Sequence, residues 1–173
     1  MRTAIVDRAI DGCALLEEVA GHRNGATVLF LGTVREVNDD ARVSGLDYSA
    51  YSAMAERELA AIVGEAVERW NTPDVVVEHR IGTLELGEVS VAIAVAHPHR
   101  GEAYEASRYI IEELKKRLPI WKREHYVDGR SEWVESASGE HSPFPSPSPD
   151  VLSPSPDVLS SSPVILSEAK DLR

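Results

Sequence analysis

Between residues 52 and 70 the chain reads "SAMAERELAAIVGEAVERW", with Leu59, Ile62, Val63, Ala66 and Trp70 at the spacing of one helical face. A second stretch of this kind, "GEAYEASRYIIEELKKRL" (101–118), carries Ala103, Ala106, Ile110 and Leu114 on its apolar stripe, and Pro119 ends it. The other apolar segments are shorter and rich in β-branched residues. "ATVLFLGTVR" (26–35) predicts a central strand ending at a glycine-containing turn, and "VSGLDYSAY" (43–51) predicts the next. "DVVVEHRIG" (74–82) and "EVSVAIAVAHPHR" (88–100) predict a hairpin turning around Gly87. "IWKREHYV" (120–127) and "SEWVE" (131–135) predict a closing hairpin across "DGR". Hairpins mixed with crossover helices indicate an α+β fold rather than a doubly wound parallel sheet.

The pattern stops near Ser136. Beyond it serine and proline dominate, and "SPSPDVL" occurs twice in tandem, at 146–152 and 153–159. Proline recurs too often for helix or central strand, and two short repeats cannot bury a solenoid core. The expected organisation is one domain over 1–136 followed by a disordered Ser/Pro-rich tail over 137–173.

Composition narrows the function. The net charge is −11; residues 137–173 hold five acidic and two basic side chains, so −3 lies there and −8 remains on residues 1–136. Phosphate backbones repel such a protein, so any anion it binds is held by a local cluster of cations. The single cysteine, Cys13, can close no internal disulfide, and no Cys/His spacing suits a metal. Cys13 is read as a packed small residue. Asp7, Arg8 and Asp11 interrupt the N-terminal apolar residues, and no run approaches a membrane span, which predicts a soluble, cytoplasmic protein.

Against that acidity, "LKKRLPIWKREHY" gathers Lys115, Lys116, Arg117, Lys122 and Arg123 within thirteen positions. The first three suit the C-terminus of a helix dipole, with Glu102 and Glu105 in the first turn of the same helix. Lys122 lies beyond Pro119, where capping requires no cation. In a strand over 120–126, Ile120, Lys122, Glu124 and Tyr126 share one face, while Trp121, Arg123 and His125 share the other. A reversal at Pro119 lets the long stems of Lys115 and Lys122 converge, making an anion-handling site the alternative to capping.

Other chain ends offer candidates. Arg35 closes the strand "VLFLGTVR" near Gly32, which permits close approach of a ligand or backbone. His99 and Arg100 precede a helix N-terminus, a seat suited to phosphate or carboxylate. His97, on an apolar strand, reads as a satisfied core histidine. Glu78, Glu85 and Glu88 read as surface strand and turn residues.

In combination, "FLGTVR" (30–35), "LDYSAYSAMAERELAAIVGEAVERW" (46–70), "VEHRIGTLELGE" (77–88), "AHPHRGEAYEASRYIIEELKKRLPIWKRE" (96–124) and "WVE" (133–135) resemble the catalytic (large) subunit of molybdopterin synthase. The resemblance covers roughly residues 3–135. It implies an α/β hammerhead-like domain with an additional small antiparallel sheet. It also implies an enzyme of molybdenum cofactor biosynthesis. A small ubiquitin-like sulfur-carrier subunit would insert its Gly-Gly tail, bearing a thiocarboxylate, and sulfur would pass twice to cyclic pyranopterin monophosphate (precursor Z), giving molybdopterin. The implied assembly is a heterotetramer built on a homodimer of large subunits. The pterin is the substrate and the sulfur comes from the partner, so no resident cofactor or metal is implied.

Carried over position by position, the resemblance makes Lys115 and Lys122 catalytic. Thr33, Val34 and Arg35 of the "G-x-V-R" turn, His99, Arg100, Arg123 and Glu124 join both lysines in binding substrate. Lys116 and Arg117 keep the dipole-and-solvent role. Convergent Lys and Arg suit this chemistry, because the thiocarboxylate, the cyclic phosphate and the intermediates are all anionic. Two departures stand out: "EVNDDARV" after Arg35 is more acidic and lacks the glycine often found there, and residues after Ser136 lie outside the family pattern. A non-catalytic module that binds a Gly-Gly tail is the alternative; an RNA-binding strip at 115–123 fits poorly with the acidic total.

Overall fold

The computed structural model describes residues 1–38 and 41–134. Its elements are β1 (Arg2–Val6), α1 (Gly12–Val19), β2 (Ala26–Thr33), β3 (Val37–Asn38), β4 (Ala41–Ala50) and α2 (Ser52–Trp70), then β5 (Asp74–Arg80), β6 (Gly82–Glu85), β7 (Val89–His97), α3 (Arg100–Arg117), β8 (Ile120–Tyr126) and β9 (Ser131–Val134). The expected tail over 137–173, and Glu135 at the end of the last expected strand, lie outside the described residues.

Four strands form the first sheet in the order β1-β5-β7-β2, with β1 parallel to β5 and the other pairs antiparallel. Alternation along β5 and β7 gives the sheet two apolar faces. Val75, Val77, Val91, Ile93 and Val95 pack against Leu59, Ile62, Val63 and Ala66 of α2 and Ala103, Ala106, Ile110 and Leu114 of α3. On the other face, Val76, Ala92, Ala94 and Ala96 receive Leu15 and Val19 of α1. Small alanines let that short helix sit close to the sheet.

The second sheet runs β3-β4-β8-β9, with β6 also paired to β4. The expected α+β architecture with a second antiparallel sheet is present. The expected hairpin also forms, as β5 and β7 (Val77 opposite Ile93). Residues 74–82 are not one strand, however. Gly82, at φ +91°, turns the chain out of the first sheet, and β6 pairs with β4 instead. Leu84 thereby joins Val34 and Leu46 in a small core linking the two sheets.

Further differences from the sequence reading concern the N-terminus and three single residues. No element was assigned to the N-terminus, where β1 and α1 form; Asp11 caps α1 by accepting from the backbone N–H groups of Cys13 and Ala14 (2.9 and 3.2 Å). Cys13 is exposed rather than packed, because α1 buries the side carrying Leu15 and Val19. Glu78 is fully buried rather than a surface residue: its Oε1 accepts from Arg2 and Arg8, each at 2.8 Å. Gly32 makes room for Val91, whose Cγ1 would lie 2.6 Å from an added Cβ, so the close approach there is internal packing.

The path of α3 positions the site. It leaves β7 after only Pro98 and His99 and packs back along β7 and β2. Its last turn therefore lies toward the end of the sheet where β7 begins and β2 gives way to Val34 and Arg35.

Candidate active site

Alternation along β8 divides its side chains as the sequence predicts. On one face Glu124, only 3% exposed, gathers four neighbours into a chain of polar contacts. The ammonium of Lys122 lies 2.8 Å from Glu124 Oε1. Oε2 accepts from the Tyr126 hydroxyl at 3.0 Å and from Asn38 Nδ2 at 3.1 Å. Asn38 Oδ1 in turn accepts from Arg35 Nη2. Burial opposes the charge on Glu124, but Lys122, Tyr126 and Asn38 together outweigh it and hold the carboxyl below its ordinary range. Hydrogen bonding to that carboxylate pushes the Tyr126 hydroxyl up.

Arg35 owes its position to its neighbour. Thr33 ends β2 at a register shift, and buried Val34 follows with both backbone groups fixed: its N–H donates to Glu88 O (3.0 Å) and its carbonyl accepts from Gly87 N–H (2.8 Å). The exposed Arg35 emerges from that anchor, and the acidic loop after it forms β3, paired to β4 through Val37–Arg42 and Asn38–Ala41.

The three cations closing α3 differ. Lys115 follows the buried Leu114 and is exposed. Lys116 pairs with Glu113 at 3.0 Å, in keeping with a surface role. Arg117 is not a solvent-facing cap. It donates to Glu58 (2.7 Å) and in a two-pronged contact to Glu65 (2.8 and 2.9 Å), cross-linking α2 to α3. Arg117 and the Tyr109 hydroxyl bring the Glu65 carboxyl down to about 2.

Arg123 is turned away from Lys122. It donates to Asp47 Oδ2 at 2.6 Å, which His125 Nε2 also contacts at 2.8 Å, while Thr83 donates to Asp47 Oδ1. His125 Nδ1 meets the Ser131 hydroxyl at 2.8 Å, so this opposite face is a self-satisfied cluster tying β4, β6, β8 and β9 together.

His99 and Arg100, both exposed, stand at the other end of α3. Fifteen residues of helix separate Arg100 from Lys115, a rise of about 22 Å. One chain therefore brings Arg35, Lys122 and Glu124 together and holds His99 and Arg100 apart from them. His97 is the satisfied core histidine expected: it is buried, and its Nδ1 accepts from the His99 N–H at 3.0 Å, fixing the turn into α3. Asn38 was missed because its partners on one side come from a strand 86 residues onward. Among the described residues, no group of three His, Cys, Asp or Glu side chains could hold a metal ion, and no helix is long and apolar enough to cross a membrane.

Residues 5–117 match the family model described as MoaE protein. The molybdopterin synthase catalytic subunit of Halalkalibacterium halodurans is 47% identical over 133 residues, covering 77% of this chain and 85% of that one. That of Bacillus subtilis is 41% identical over 137 residues, covering 79% and 86%. Among solved structures, molybdopterin synthase from Staphylococcus aureus superimposes with a TM-score of 0.69 at 41% identity, over 76% of this chain and 95% of that one. A complex of subunits 1 and 2 of molybdopterin-converting factor from Helicobacter pylori shares the fold, with a TM-score of 0.61 at 24% identity over 80% and 92%.

Proposed function

The chain belongs to the MoaE protein family, and on that premise we propose how its residues carry out the reaction of a molybdopterin synthase catalytic subunit. The enzyme is a sulfurtransferase of molybdenum cofactor biosynthesis. Its partner is a small ubiquitin-like sulfur-carrier subunit whose C-terminal thiocarboxylate supplies the sulfur. The acceptor is cyclic pyranopterin monophosphate, which gains two sulfurs to become molybdopterin.

The observation that supports this reading most is the polar chain from Arg35 through Asn38 and Glu124 to Lys122. It holds an anion-binding arginine and an ammonium in a fixed relation around a buried carboxylate. Once the thiocarboxylate sulfur is bonded to the pterin, water adds to the acyl carbon through an oxyanion, the C–S bond breaks and the carrier leaves as a carboxylate. An ammonium already in place stabilises that oxyanion without reorganisation. Lys122 is the ammonium held in place; Lys115, from the end of α3, takes the main electrostatic and proton-transfer role, with Lys122 assisting it. Thr33, Val34 and Arg35 form the turn that seats the anionic substrate. Glu124 contributes by holding Lys122.

His99 and Arg100 reach this chemistry only from a second protomer, because about 22 Å of helix separates them from Lys115 in their own chain. The homodimer at the centre of the heterotetramer therefore completes each site, with Lys115 and Lys122 from one protomer and the His-Arg pair from its partner. Arg123 braces β8 through Asp47 and steadies the strand bearing Lys122. No resident cofactor is needed, since the pterin is substrate and the sulfur travels on the small subunit. The place of action is the cytoplasm.

Mixing the protein with thiocarboxylated small subunit and cyclic pyranopterin monophosphate tests the reading. Molybdopterin formed in proportion to the protein supports it. Tight binding of the small subunit without product would instead make the chain a tail-binding module.

A further inference from the structure

The amide of Asn38 bridges two groups of opposite character. Its oxygen accepts from the Arg35 guanidinium, and its NH2 donates to Glu124 Oε2 at 3.1 Å. A guanidinium only donates and a carboxylate only accepts, so the group between them must accept on one side and donate on the other. A carboxamide does both, and in one orientation only. Its own backbone is fixed, since β3 is two residues long and paired to β4, and Val43 N–H donates to Glu36 O at 2.7 Å just before it.

We propose that Asn38 is a positioning residue for sulfur transfer, setting Arg35 at a fixed separation from the Lys122–Glu124 pair. The assignment rests on the synthase reading of the site. Arg35 is exposed and otherwise has the rotamer freedom of a long side chain, whereas Glu124 is buried and held by β8. The amide transfers the rigidity of the second to the first. Substrate anion bound at Arg35 is thereby presented to the lysines in one geometry, which is where an orienting contact acts on rate.

Replacing the amide by a carboxylate reverses one of its two roles. In Asn38→Asp the group facing Arg35 still accepts, but the group facing Glu124 no longer donates, and two carboxylates meet. At neutral and higher pH both are ionised and repel. As pH falls, one takes up a proton, its O–H donates to the other, and the bridge re-forms. The charged and titratable groups around that pair are Arg35 beyond β2, Lys122 and Tyr126 on β8, Tyr48 on β4, whose hydroxyl is pushed up by burial and by Glu124, and Glu132 opposite Glu124 on β9.

The test measures molybdopterin formation by wild type, Asn38→Asp and Asn38→Ala from pH 5.5 to 8.5, with thiocarboxylated small subunit and cyclic pyranopterin monophosphate. Thermal midpoints and small-subunit affinity are followed in parallel. At pH 8 both variants are expected to lose at least about tenfold, the loss of a hydrogen bond to a charged group, with Asn38→Asp the slower. As pH falls, the ratio of Asn38→Asp to wild type rises, while the ratio for Asn38→Ala stays flat. Variants as active as wild type, or an Asn38→Asp variant that tracks Asn38→Ala at every pH, would overturn the proposal while leaving the synthase reading intact. A wild type that binds the small subunit and forms no product would overturn both.

Discussion

Lys122 and Glu124 form a 2.8 Å ion pair in which the Glu124 side chain is buried and that of Lys122 is 23% exposed. The buried member anchors the accessible one, an arrangement that presents a charge to a ligand without letting it wander. Glu124→Gln keeps the shape and removes the anchor charge. The expected result is a fall in kcat of about tenfold or more, from loss of a charge-assisted contact. Affinity for the small subunit is expected to remain unchanged, which a binding titration beside steady-state assays checks.

Glu78 ties the N-terminus to β5 through Arg2 and Arg8. Burial opposes its charge, and the two guanidinium groups outweigh burial, leaving its carboxyl below the ordinary range. A carboxyl depressed on folding contributes stability above its unfolded value, about 4.5, and that contribution disappears as pH falls below it. Glu78→Gln is therefore expected to cost about 2 kcal/mol at pH 7, less than a wholly buried pair because both arginines can turn to water. The cost shrinks toward pH 3. Thermal melts across that range measure both effects.

His79 sets a different window. Burial on β5 pushes its imidazole down to about 4, against a partial offset from the Arg80 carbonyl, and its ring meets Tyr48 edge-on at 5.2 Å. The unfolded chain takes up a proton near pH 6.5 and the folded chain does not. Stability is thus intact above pH 6.5 and falls between 6.5 and 4, by about 3 kcal/mol. His79→Phe keeps the ring contact and is expected to flatten that part of the curve, leaving the lower limb due to Glu78. Melting temperature against pH separates the two.

How far the sequence revealed this arrangement depended on the reach of each interaction. Strand alternation placed Lys122, Glu124 and Tyr126 together and Arg123 with His125 opposite, and the structure has both faces so. Family resemblance adds Arg123 to the substrate set; in this chain its guanidinium rests on Asp47, on the face opposite Lys122. The stripes of α2 and α3 were legible because each spans several turns. α1, with eight residues and two buried ones, offers too little period to read. Glu78 looked like surface because its partners lie 70 and 76 residues away, and no local pattern encodes such a contact. Asn38 was hidden for the same reason.

The neighbours Lys116 and Arg117 test whether adjacent cations have separate jobs. Arg117 joins α2 to α3 through Glu58 and Glu65 but remains partly exposed. Arg117→Ala is expected to cost about 1 kcal/mol, and Lys116→Ala under about 0.5 kcal/mol, as for ordinary surface pairs. Urea unfolding of the two variants gives the comparison directly.

The role proposed for Lys115 lies in the chemical step. Single-turnover formation of molybdopterin by wild type and Lys115→Ala, each saturated with thiocarboxylated small subunit and cyclic pyranopterin monophosphate, tests it most directly. The expected loss in rate is about a hundredfold or more, the scale of removing one oxyanion-stabilising group, with small-subunit affinity retained. A variant that forms product at close to the wild-type rate would contradict it and return Lys115 to the surface charge of a helix end.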